Sequence, residues 1–168
     1  MFAVQFHAIT GCRPWEAAWV ATNGKVSENK VKYDGFDFTH QVDMPLEEVK
    51  TKTNRDYYWL IERKHEYLVS ALSSACKRFT ADQLYSRVPY AFKVAVGEVT
   101  GLPPEAVKYS MRDTRCTVAT VYMEMKAECL VRGVDPPPNP LQHVSDKVTR
   151  EHYAARGADD RHKAKQRL

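Results

Sequence analysis

The stretch LQHVSDKVTREHYAARG, residues 141–157, decides how this chain is read. A serine at 145 suits a helix N-cap, and the residues after it, up to about Ala155, carry good helix formers. His143 stands just before this helix, Thr149 lies within it, and Tyr153 follows on its last turn. Upstream, Gly133 to Pro140 holds four prolines and one glycine, a run that cannot sustain a helix and is read as a loop. Downstream of Gly157 the chain turns polar, with Arg161, Lys163, Lys165 and Arg167 in a short basic tail. The tail fits a segment bound by a partner, DNA phosphates included, and equally a disordered end.

Further upstream the punctuation defines a run of helices. YSMRDTRCTVATVYMEM, residues 109–125, lies on a helix that follows Pro103-Pro104 and continues to about Glu128. A helix is expected over Asp82 to Val99, closed near Gly101. Tyr67, Leu68, Ala71 and Leu72 form one helical stripe after Glu62. Between Lys30 and Leu60 the pattern changes. VKYDGFDF alternates and DYYWLIE is rich in aromatic and β-branched residues, which predicts a small antiparallel sheet with turns near Asp34-Gly35 and Thr53-Asn54. At the front, Phe2 to Ala8 reads as the end of a helix. Thr10-Gly11 breaks it, and Pro14 opens a second helix whose Trp15, Ala18 and Trp19 share a face. Asn23-Gly24 is a turn signal. The fold class is therefore mainly α with a small antiparallel β-sheet, in one domain over 1–157 with a tail at 158–168.

Composition sets wide limits. A length of 168 residues accommodates one domain with a real core. A net charge of +4 is compatible with a nucleic-acid partner without demanding one. Cys12, Cys76, Cys116 and Cys129 form no CxxC pair and are read as reduced thiols of an intracellular protein. No apolar run reaches the roughly 18 residues needed to span a bilayer, and the apolar start lacks the basic lead of a signal peptide.

Taken together, three segments resemble the catalytic domain of the tyrosine recombinase (phage integrase) family. TGCRPWEAAWV, residues 10–20, is similar to the family's first arginine box, with Arg13 at the arginine and Glu16 at the acid. In 109–125, Arg115 followed by Thr117, Ala119 and Thr120 is similar to the second box, H-x-x-R plus helix. Arg112 stands where the histidine is expected. In 141–157, His143, Thr149 and Tyr153 follow the order of the final box, with Gln142 in place of the usual glycine. KTKTNRDYYWL, residues 50–60, resembles the family's β-hairpin, where Lys52 fits the hairpin lysine and Lys50 is the alternative. Each segment alone admits a plain structural reading, since the chain has nine tyrosines and most will pack. Their order is what carries the resemblance.

The resemblance implies a site-specific recombinase or integrase of a phage or mobile element, acting on double-stranded DNA near the nucleoid in the cytoplasm. It implies self-association on DNA, in a tetrameric synapse for a full-length protein, and no membrane. Tyr153 would be the nucleophile, forming a 3′-phosphotyrosine. Arg13 and Arg115 would clamp the phosphate with donors that stay protonated, with Arg112 in support. His143 would donate to the same phosphate, and Lys52 would protonate the leaving 5′-oxygen. A phenol ordinarily ionises near pH 10 (about 10 in model compounds), so the nucleophile needs a base or a cationic pocket. No cofactor and no metal are called for: the chain has neither a phosphate-binding G-x-x-x-x-G-K-[ST] loop nor a two-metal carboxylate cluster. The first box begins at Thr10, leaving no room for the family's N-terminal DNA-binding domain, so weak binding to bare duplex is expected. A telomere resolvase or a type IB topoisomerase would carry a similar set of residues. A DNA-binding relative with impaired catalysis would fit the substitutions at Arg112 and Gln142.

Overall fold

A computed structural model describes residues 1–49, 54–74, 78–143 and 145–154. The chain is mainly helical with a three-stranded antiparallel sheet of order β1-β2-β3. Helix α1 (Phe2–Thr10) ends at Gly11, whose left-handed backbone (φ +62°) lets its N–H close on the His7 carbonyl. Helix α2 (Pro14–Asn23) opens with proline at its first position, and the Glu16 carboxylate reaches back to the Arg13 backbone N–H at 2.6 Å. Strands β1 (Lys25–Glu28), β2 (Phe38–Met44) and β3 (Tyr57–Glu62) follow. Along β3 the alternation buries Tyr57, Trp59 and Ile61 on one face, as period two requires. Those side chains meet Phe6 of α1, whose ring is edge-on to Trp59 at 5.4 Å. The main core thus lies between the sheet and the first two helices, and it fixes β3 beneath them.

Helices α3 (Tyr67–Ser74), α4 (Ala81–Tyr85) and α5 (Val88–Thr100) surround that core, and α6 (Met111–Arg132) is the longest element. Ser110 caps α6 and Gly133 ends it in the left-handed region. The chain then runs without regular structure to α7 (Asp146–Thr149), which passes into a single π-helical turn, Arg150–Ala154. Among the described residues no helix is long and apolar enough to cross a membrane. Cys12, Cys116 and Cys129 are buried, and Cys76 lies outside the described residues.

Several local expectations are corrected. VKYDGFDF is not a strand until its last residue. Asp34-Gly35 does make the expected turn, with Tyr33 and Phe36 bridged across it, but the alternating rings of Tyr33, Phe36 and Phe38 pack on one another, not across a sheet. The first strand is instead Lys25–Glu28, paired from Lys25↔Asp43 to Glu28↔His40. The helix expected over Asp82 to Val99 is two helices. Pro89 has no N–H and its ring would meet the Tyr85 carbonyl in a continuous helix, so the chain breaks at Ser86-Arg87. The segment after Pro103 makes only a short 3-10 turn, Pro104–Ala106, before α6 opens at Met111. Leu68 and Leu72 are buried as expected, but Tyr67 is half exposed. Ser145 occupies the N-cap position of α7 without a capping hydrogen bond from its side chain.

Candidate functional site

Three segments far apart in sequence converge on Arg115. It lies on the buried face of α6, 5% exposed, although arginine is rarely buried without partners. The partners are present. Its Nη1 donates to the Gly11 carbonyl, and its Nη2 donates to the Leu141 carbonyl at 3.0 Å and to His143 Nε2 at 3.0 Å. Its Nε has no partner among the described residues. The turn of the first box and the loop of the last box therefore both close on this one guanidinium.

His143 is held from both sides. A guanidinium only donates, so Nε2 accepts and the ring proton sits on Nδ1. That proton points to Thr149 Oγ1 at 2.8 Å. Thr149 is fully buried and also accepts from Asn139 Nδ2 at 2.7 Å. Asn139 in turn accepts from the Leu141 N–H at 3.0 Å and fixes the bend of the loop. Lys126 of α6 is paired with Asp146 at the start of α7, which ties the helix carrying Thr149 to the helix carrying Arg115.

Tyr153 completes the cluster. Its ring stacks on His143 at a centroid distance of 5.0 Å, and the Arg115 guanidinium carbon lies 5.1 Å from its centroid. Leu141 and the small Ala119 of α6 are buried beneath it, which leaves space for the ring. The sequence-predicted trio Arg115, His143 and Tyr153 is thus assembled in one place, with Tyr153 covering Arg115.

The loop 140–143 is pinned to β3. Trp59 Nε1 donates to the Pro140 carbonyl at 2.8 Å, the Gln142 amide donates to the Tyr58 carbonyl, and Arg55 Nη2 donates to the carbonyls of Gln142 and His143 at 3.0 and 3.1 Å. Arg55, Trp59 and Asn139 were not among the sequence candidates. Only Asn139-Pro140 carries a visible signal, as a turn dipeptide. Gln142 has φ +57°, the left-handed backbone that glycine adopts most readily. Its side-chain bond to β3 offsets that strain. Gln142→Gly is expected to leave stability within ~1 kcal/mol, because relief of strain and loss of one hydrogen bond are of similar size. Gln142→Val, which loses the bond and keeps a strained, β-branched backbone, is expected to lose about 2 kcal/mol. Urea melts of the two variants check both.

The remaining predicted residues are placed differently. Arg13 is at the N-cap of α2, its Nη1 2.5 Å from Glu16 Oε1, with its side chain about one-quarter exposed. Burial opposes its charge, but Glu16 and Tyr57 outweigh that and hold it above the ordinary arginine value. The Gly11-to-Arg13 turn joins it to the Arg115 bracket through the Gly11 carbonyl. Arg112 is exposed on the first turn of α6, whereas Arg115, three residues on, is buried. Lys52 and its alternative Lys50 lie outside the described residues. Cys12, next to Arg13, is fully buried, and burial pushes its thiol well above the ordinary range, so it is no competing nucleophile.

Gly11 packs tightly here. A Cβ on it would lie 2.9 Å from Val118 Cβ, at a backbone angle that side chains rarely adopt. Gly11→Ala is expected to destabilise the protein by about 1–3 kcal/mol and to displace the carbonyl that holds Arg115. Thermal melting checks the first effect.

A cavity of about 380 Å³ borders the cluster, lined largely by apolar side chains such as Phe36, Phe38, Leu60, Val121 and Pro138. None of the sequence-predicted cations lines this cavity. No protein-family model matches this chain, and no curated protein and no solved structure is similar enough to it to count as a match.

Proposed function

We propose that this protein is a tyrosine-type site-specific DNA recombinase, with a fold of the recombinase catalytic-domain kind, that cleaves and rejoins double-stranded DNA through Tyr153. The observation that carries the reading is the convergence of Arg115, His143 and Tyr153, from two separate segments, on a bracket closed by the first-box turn. A buried guanidinium whose Nε has no partner among the described residues, next to a histidine and a phenol, suits a phosphodiester better than a neutral substrate.

In this reading the Tyr153 hydroxyl attacks phosphorus and gives up its proton to water. A P–O bond to the tyrosine forms, the bond to the 5′-oxygen breaks, and the departing oxygen takes a proton from Lys52. Rejoining reverses these steps, so no energy source is consumed. Arg115 and Arg13 neutralise charge that builds on the non-bridging oxygens, with Arg112 reaching the flanking backbone from its exposed position. Once Arg115 turns its donor to the substrate, His143 takes up a second proton at Nε2 and donates it in a hydrogen bond to the phosphate. Because the Tyr153 ring covers Arg115, the arrangement described is a resting one, and an entering phosphate must lift the ring. Self-association in a tetramer on DNA, close to the nucleoid, belongs to the same proposal.

The test is covalent capture. The full chain is mixed with a randomised pool of nicked duplexes, in which the strand end released by cleavage diffuses away, and the mixture is denatured in detergent. A DNA adduct that survives is expected. A second reading, a DNA-binding relative without catalysis, is favoured by the arginine at position 112 and by the covered Arg115. It predicts retention of duplex on the native protein and no adduct after denaturation.

A further inference from the structure

His7 is a fully buried titratable group with no part in the chemistry above. It lies on α1, and its two ring nitrogens face two backbone carbonyls. Nδ1 is 2.6 Å from the Cys12 oxygen and Nε2 is 3.0 Å from the Met111 oxygen. These carbonyls belong to the two arginine segments. Cys12 sits between Gly11, whose carbonyl holds Arg115, and Arg13 itself. Met111 is the first residue of α6, one turn before Arg115.

A carbonyl oxygen only accepts hydrogen bonds. A neutral imidazole has one N–H and so can satisfy one of the two, leaving a lone pair opposed to the other oxygen. The shorter contact places the single proton on Nδ1, facing Cys12. A second proton would add Nε2–H to the Met111 carbonyl. The charged groups around the ring come from two other elements. Arg115 of α6 opposes a second charge and Glu16 of α2 favours one. Phe92 of α5 meets the ring edge-on at 6.0 Å and contributes no charge, and the buried Cys12 thiol stays neutral.

We infer that His7 is a positioning residue for the arginine pair: its ring ties the turn carrying Arg13 to the first turn of the helix carrying Arg115, and a second ring proton completes that tie. The role in catalysis rests on the recombinase reading, whereas the tie itself does not. Burial is the largest influence on the ring and holds its ionisation below the ordinary histidine value, against the pull of the two carbonyls. The unfolded chain therefore takes up this proton first as pH falls below about 6.5, so His7 makes the fold less stable there while the local tie gains a bond. Stability and site order move in opposite directions, which a merely structural histidine would not produce.

The test is a titration of the intact chain from pH 8 to pH 5, following the ¹⁵N signals of the His7 ring and of the Arg13 and Arg115 guanidinium groups. At pH 8 one protonated nitrogen, Nδ1, is expected. On acidification Nε2 is expected to shift to the protonated position with a midpoint below about 6.5, and the Arg115 signal to follow with the same midpoint. His7→Gln, checked for folding by circular dichroism, is expected to remove that inflection from Arg115. If this variant does not fold, the wild-type titration decides alone. A His7 ring that titrates like an exposed histidine, that stays neutral while the chain remains folded to pH 5, or that titrates without moving Arg115 overturns the proposal. The rate of adduct formation with captured duplex separates the two claims. With the linkage present and no adduct in any chain, the recombinase reading fails and the tie stands. With the linkage absent, the tie fails whatever the adduct assay shows.

Discussion

Arg115→Lys is expected to produce a marginally folded protein that forms adduct at least ~100-fold more slowly, the scale of losing one preorganised donor to a developing oxyanion. The structural side of this expectation comes from the bracket. One guanidinium serves the carbonyls of Gly11 and Leu141 and the Nε2 of His143. A lysine ammonium keeps the charge but is a point donor on a flexible stem and cannot span the same planar fork. At least one buried carbonyl loses its partner, and hydrogen bonds to charged groups are worth about 1.5–3 kcal/mol each, so a total loss near 3 kcal/mol is expected. Urea melts read the stability and the capture assay reads the rate. A variant with wild-type stability would mean that the bracket is not what joins the first and last boxes.

Tyr153→Phe separates chemistry from structure more cleanly. The ring supplies the stack on His143, the cover over Arg115 and the contact with Leu141 and Ala119. Phenylalanine keeps all of these and removes only the hydroxyl. Thermal stability within about 0.5 kcal/mol of the parent is therefore expected, as for a substitution that disturbs none of the usual destabilising features. Duplex retention on the native protein should be unchanged, and covalent adduct should be absent.

The residues that make up the cluster were legible through the resemblance of short segments to the family's boxes. His143 and Thr149 bracket the start of α7, and Tyr153 follows one turn later, so local geometry alone brings them onto one side. The Gly11 turn was legible from Thr10-Gly11, and its left-handed backbone explains why glycine is there. The break between α4 and α5 was present in the sequence as Pro89 but was read through, because the apolar pattern continues across it. VKYDGFDF misled for a different reason: its aromatic alternation serves a local ring cluster around Gly35 instead of a sheet. Arg55, Trp59 and His7 were not legible at all. Each acts on a backbone carbonyl, which has no sequence identity, and the carbonyls lie 87, 81 and 104 residues away. Gln142 was visible only as a departure from glycine. The structure adds the physical reason it is tolerated, a left-handed backbone secured by a side-chain bond to β3.

The central claim is that Tyr153 becomes covalently joined to DNA. Adduct recovered from the nicked-duplex pool can be digested with nuclease and protease, and the residual nucleotide located by mass spectrometry. The peptide containing Tyr153 is predicted to carry it, linked through a 3′-phosphate on the phenolic oxygen. A nucleotide on any other residue, or native duplex binding with no adduct across the whole pool, would contradict the account.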